Sequence, residues 1–178
     1  MEDLSLHLLD IAENSIDASA NRVDIKIIAD RASDRLILEV ADNGKGMDKE
    51  TIKKVKDPFF TTKTVRGFGL GIPLLAQAAE ECNGIFTIES ASGKGTKIKA
   101  EFQMSHIDRR PLGDMGSTIT TLIAGHPEID FSLTLERNGA VYIFDTAELK
   151  KELEGVPINL PNVLKLIKED INDALQEV

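Results

Sequence analysis

Asp42-Asn43-Gly44-Lys45-Gly46-Met47 stands between an apolar strand-like run over 36–41 and a helical pattern that Asp48 can cap. Gly44 and Gly46 let the backbone approach a flat ligand closely, because no Cβ intervenes. Asp42, at the strand end, can accept a hydrogen bond from an exocyclic amine such as that of adenine. A plain turn has the same letters, since Asn-Gly is a strong hairpin signal. The helix pattern that follows, where a hairpin needs a strand, weighs against that simpler reading.

Upstream, Leu4, Leu8, Ile11, Ala12, Ser15 and Ala18 recur at helical spacing over 2–20, with Leu9 and Ile16 widening the stripe. Asp3, His7, Asp10, Asn14 and Asp17 recur on the opposite side as one stacked polar row. Asp10, Asn14 and Asp17 can turn a carboxylate and an amide oxygen to one point, the donor set that a hard cation such as Mg²⁺ prefers. A solvated helix face has the same spacing. His7 is expected as a polar-face histidine near the mouth of any site on this row, with a phosphoacceptor role as the less plain alternative. Two strands, over 22–28 and 36–41, follow across a polar turn.

Downstream, a short helix is expected to Val55, then a loop holding Phe59, Phe60, Thr61, Thr62 and Lys63. That loop leads into Gly67, Gly69 and Gly71, where a second long helix opens and runs to about Cys82. Successive backbone N–H groups at a helix start favour anions, so a phosphate cradle fits; a merely flexible loop fits as well. The order of Lys and Gly is neither a Walker loop nor a dinucleotide fingerprint. Strands over 85–90 and 96–103 flank a turn at 91–95, and the second alternates Thr96, Ile98, Ala100 and Phe102 with polar residues.

Beyond residue 104 a polar linker, a helix over 115–124, strands near 131–135 and 140–144 joined by Asn138-Gly139, and two final helices are expected. The chain has 178 residues and a net charge of −9, which disfavours nucleic acid and anionic lipid as partners. One cysteine cannot form an internal disulfide, the first residues are acidic, and no apolar run reaches membrane length, so a cytoplasmic protein is expected.

Taken in order, the polar helix row, Asp-x-Gly-x-Gly, Phe-Phe-Thr-Thr-Lys, Gly-x-Gly-x-Gly and Gly-x-Gly-Thr resemble the family of gyrase, the Hsp90 chaperone, histidine kinases and MutL. The likeness covers residues 1–104. It implies the Bergerat fold, a two-layer α/β sandwich whose mixed sheet is covered on one side by helices, with a small α+β appendage over 105–178. It also implies ATP and Mg²⁺ as ligands. By position, Asn14 matches the family's metal-coordinating Asn, and Asp42 the adenine-binding Asp, with Gly44, Gly46 and Met47 beside it. Phe59, Phe60 and Lys63 match the phenylalanine box, Gly67, Gly69 and Gly71 the hinge of the phosphate lid, and Thr96 the residue that supports adenine; Thr62 and Leu70 beside them are further candidate nucleotide contacts.

Glu13-Asn14-Ser15-Ile16-Asp17-Ala18 looks like the first box of MutL, whereas the short lid and Gly-Leu-Gly-Ile look like histidine kinases. Where many relatives place a Glu four residues before the metal Asn, this sequence has Asp10, one methylene shorter. Asp10 is the candidate general base, with a second metal contact or a passive neighbour as the other readings. Residues 1–178 hold neither the phosphoacceptor helices of a histidine kinase nor the transducer domain of gyrase or MutL. The resemblance therefore implies a stand-alone regulatory kinase or ATPase acting on a separate, unidentified protein partner or phosphoacceptor. A non-catalytic ATP switch and a MutL-like dimerising ATPase are the alternatives. The helix–hairpin–helix pattern of 105–178 suits docking or homodimerisation.

Overall fold

The computed structural model describes residues 3–55 and 70–177. Helix α1 (Leu4–Asp17) starts where the Asp3 carboxylate accepts the Leu6 N–H, and it ends at Ser19, whose φ of 61° cannot continue a helix. Strands β1 (Arg22–Asp30) and β2 (Arg35–Asp42) pair antiparallel. Their turn is held by Asp30, whose carboxylate accepts the backbone N–H groups of Ala32 and Ser33. Helix α2 (Lys49–Val55) opens on Asp48, which accepts the Thr51 N–H at 2.7 Å. Helix α3 (Gly71–Glu81) precedes strands β3 (Ile85–Ser90) and β4 (Thr96–Gln103).

The C-terminal part comprises α4 (Met115–Gly125), β5 (Asp130–Arg137), β6 (Ala140–Asp145), α5 (Thr146–Glu152) and α6 (Pro161–Glu177). Asn138 and Gly139 both have positive φ, as the tight turn between β5 and β6 requires. The six strands form one mixed sheet in the order β3-β4-β2-β1-β5-β6, antiparallel throughout except for the parallel pair β1–β5. Residues after 104 thus extend the sheet begun before it, and Phe131, Leu133 and Leu135 share one core with Val23, Ile25 and Ile27.

The layers follow from period-two alternation. Val23, Ile25 and Ile27 on β1 and Leu36, Leu38 and Val40 on β2 are buried beneath the helices. The other face is mixed: Ile28, Ile37, Val141 and Ile143 stand among cross-strand ion pairs such as Lys97–Glu39 at 2.9 Å and Lys26–Glu136 at 3.6 Å. Exposed pairs of this kind contribute about 1 kcal/mol or less each, so the apolar face holds the sheet. Among the described residues no helix is long and apolar enough to cross a membrane.

The polar row of α1 is not uniformly solvated. Asp10 and Asp17 are exposed, but His7 is only 1% accessible, and neither ring nitrogen has a hydrogen-bond partner among the described residues. This corrects the expectation of a polar-face histidine at a site mouth. The helix repeat gives a direction around the axis, not what will cover it. Burial, reinforced by the charge of Arg110, lowers the His7 pKa to about 4.

Candidate functional site

Asp42 sits at the end of β2, opposite Val23 of β1 and Thr96 of β4. Its Oδ1 accepts the backbone N–H groups of Gly44 (2.8 Å) and Thr96 (3.2 Å), and its Oδ2 accepts the Ser15 hydroxyl (2.9 Å). An ionised carboxylate has about four acceptor positions, so one on Oδ2 is left for an incoming donor. Ser15 stands in the apolar stripe of α1, and through it the first helix and the sheet meet at one carboxylate.

The glycines are explained by proximity. A Cβ on Gly44 would lie 2.8 Å from the Ala18 carbonyl oxygen. One on Gly46, whose φ is +65°, would lie 2.0 Å from that of Ala91. Two backbone bonds fix this loop, Lys45 N–H to Ala18 O and Gly93 N–H to Lys45 O. Ser90 ties the floor together: its hydroxyl receives the Met47 N–H at 2.8 Å and lies 2.9 Å from both the Gly95 carbonyl and the Thr96 hydroxyl.

Asn14 stands one turn after Asp10 on α1. Its side-chain nitrogen is buried without a partner among the described residues. Amide oxygen and nitrogen are assigned from their surroundings, so this unpaired end can present either atom to a ligand. Asp10 is exposed and lies against the first residue of α3: a Cβ on Gly71 would be 2.7 Å from the Asp10 Cβ and 3.1 Å from its Oδ2. The start of α3 is therefore held against the carboxylate, with Leu70 exposed beside it.

Asn14, Asp42, Gly46, Met47 and Thr96 line one small cavity, together with Ile72 of α3. Its volume is about 20 Å³, room for one water. A ring entering here displaces side chains, and Met47, an unbranched thioether, is the adaptable one. Phe60, Thr62, Lys63, Gly67 and Gly69 lie outside the described residues. Cys82, by contrast, is buried, and burial pushes its thiol pKa up, which leaves it an inert core residue.

Sequence reasoning missed Ser15 and Ser90. The available signal for Ser15 was a hydroxyl inside an otherwise apolar helical stripe. For Ser90 it was the hairpin register that sets it opposite Thr96.

Residues 2–106 match the family model described as histidine kinase-, DNA gyrase B-, and HSP90-like ATPase. The sensor protein DegM of Bacillus sp. is 37% identical over 91 residues, 51% of this chain and 24% of that protein. The sensor histidine kinase YxdK of Bacillus subtilis is 31% identical over 99 residues, 52% of this chain and 30% of that protein. The match thus spans less than a third of either relative. Among solved structures, the Aquifex aeolicus MutL ATPase domain complexed with ADP superposes with a TM-score of 0.53 at 16% identity, covering 86% of this chain and 68% of that one. At that identity the likeness is one of fold.

Proposed function

Because the chain belongs to the family of histidine kinase-, DNA gyrase B-, and HSP90-like ATPases, we propose that it binds Mg-ATP between α1 and the sheet and acts as a regulatory kinase or ATPase on a separate protein partner. The observation that carries the reading is Asp42. It is held by three donors from three chain segments, and one acceptor position remains on Oδ2. That position fits the exocyclic amine of adenine; Gly46, Met47 and Thr96 line the cavity beside it, with Gly44 in the same loop, and Met47 would move to make room for the ring.

Asn14 is the residue to hold Mg²⁺, and its unpaired buried amide fits that assignment. Bound there with ATP, the ion would neutralise phosphate charge. Leu70 and Gly71 at the start of α3, with Phe60, Thr62, Lys63, Gly67 and Gly69 before them, are assigned to the phosphates. Asp10, packed on Gly71, is placed to orient a water or an acceptor hydroxyl and take its proton, a role worth roughly 10²–10⁴ in rate.

Asp10→Asn tests this chemistry. Mg-ATP affinity stays within about two-fold of wild type, while phosphate release or transfer falls at least about 100-fold. An unchanged rate removes Asp10 from the mechanism.

A switch without catalysis is the second reading, and one observation favours it. Helix α4 packs on α1, and β5 pairs with β1, so the helix carrying Asp10 and Asn14 touches the C-terminal part directly. Wild-type protein that binds Mg-ATP but neither hydrolyses nor transfers phosphate with its co-purified partner would establish this reading. Sedimentation with and without ATP reads out the dimerising alternative.

A further inference from the structure

At the end of the sheet opposite Asp42, the helix-facing alternation of β1 runs Val23, Ile25, Ile27 and then Ala29. That of β5 runs Phe131, Leu133, Leu135 and then Arg137, with Ala29 and Arg137 paired in register. The small residue and the cation stand where large apolar side chains would continue the core. A cleft of about 310 Å³ opens there. Ile27, Ala29 and Leu135 contribute from the strands, Leu112 from the segment after β4, and Leu175 from the end of α6.

Three lining residues are arginines, Arg31, Arg109 and Arg137, in a chain whose net charge is −9. Arg109 is fixed by donating Nε to the Met104 carbonyl at 2.7 Å and Nη1 to the Arg110 carbonyl at 3.0 Å. Among the described residues none of the three has a carboxylate within ion-pair distance, whereas the lining Glu136 is paired with Lys26. An apolar cleft bordered by guanidinium groups without carboxylate partners is complementary to a molecule with a hydrocarbon body and an anionic head. Its volume lies at the small end of small-molecule clefts, roughly 300–1,000 Å³.

We propose that this cleft is a second ligand site, distinct from the Asp42 pocket, that takes a small amphiphilic carboxylate, its chain on Ile27, Ala29 and Leu135 and its head on the arginines.

Calorimetry and amide chemical-shift mapping with octanoate, octanol and octylammonium test it. Octanoate binds saturably and shifts the amides around Ala29, Leu112 and Leu175. Octanol binds at least about ten-fold more weakly, and octylammonium more weakly still. The double variant Arg31→Ala/Arg137→Ala brings octanoate to the octanol level with its melting temperature and Mg-ATP affinity unchanged. Asp42→Asn leaves octanoate affinity unchanged, which keeps the two sites experimentally separate. Equal affinity for octanoate and octanol, shifts outside the cleft, or no saturable octanoate binding overturns the proposal. So does binding of an acidic, leucine-rich peptide in the absence of octanoate binding, which would reassign the cleft to a protein partner.

Discussion

The two ends of this sheet are built from the same strands and solve opposite problems. At the Asp42 end, polar groups from α1, β2 and β4 satisfy one another, glycines bring backbone within contact distance, and about 20 Å³ is left. At the Ala29 end the apolar face stops short, the arginines have no carboxylate partner among the described residues, and about 310 Å³ stands open. The difference teaches that open volume and organised polar groups are separated in this fold. The smaller cavity has the aimed acceptor, the orphaned amide and the tight loop; the larger one has volume and charge. His7 lies between the ends on α1, one turn before Asp10, with the Arg110 charge acting on it.

Breaking the polar end has the largest expected effect. Asp42→Ala leaves the Gly44 and Thr96 N–H groups without their acceptor and the Ser15 hydroxyl with only the Ile11 carbonyl at 3.2 Å. At about 1–3 kcal/mol for each of these two part-buried N–H groups, stability measured by urea unfolding falls by roughly 2–6 kcal/mol. A loss under about 1 kcal/mol would mean that water replaces the carboxylate freely.

The middle of the row is next. The pKa of His7 is depressed to about 4 from an ordinary 6.5, so its contribution is fully present above pH 6.5 and is lost as pH falls from 6.5 toward 4. The loss amounts to about 3 kcal/mol at most. His7→Leu removes this slope: unfolding midpoints at pH 7 and pH 5 differ less for the variant than for wild type. Equal slopes would contradict the burial of a neutral imidazole.

Filling the open end has the smallest effect. Ala29→Val adds methyl groups to the cleft and stabilises the fold by about 0.5–1 kcal/mol, while octanoate binding weakens. Destabilisation would mean that the cleft is tighter than its volume implies.

Much of this was legible from residues alone. The apolar stripe located α1, expected over 2–20 and found at Leu4–Asp17, and alternation located β4 over Thr96–Gln103 without error. Asn14, Asp42, Gly46, Met47 and Thr96 were all singled out, and they line one cavity. What stayed hidden depends on contacts distant in sequence. Ser15 meets Asp42 across 27 residues, and β5 lies beside β1 across more than a hundred. Periodicity could not show that His7 would be covered, because a helix repeat records angle around an axis and not the partner that arrives there.

Calorimetric titration of Mg-ATP into wild type and Asp42→Asn tests the central claim most directly. Wild type binds one equivalent saturably. The variant, checked for folding by its thermal transition, binds at least about ten-fold more weakly, since one Oδ acceptor is replaced by a donor. Equal affinity in two folded proteins would contradict the assignment of Asp42 to the adenine ring.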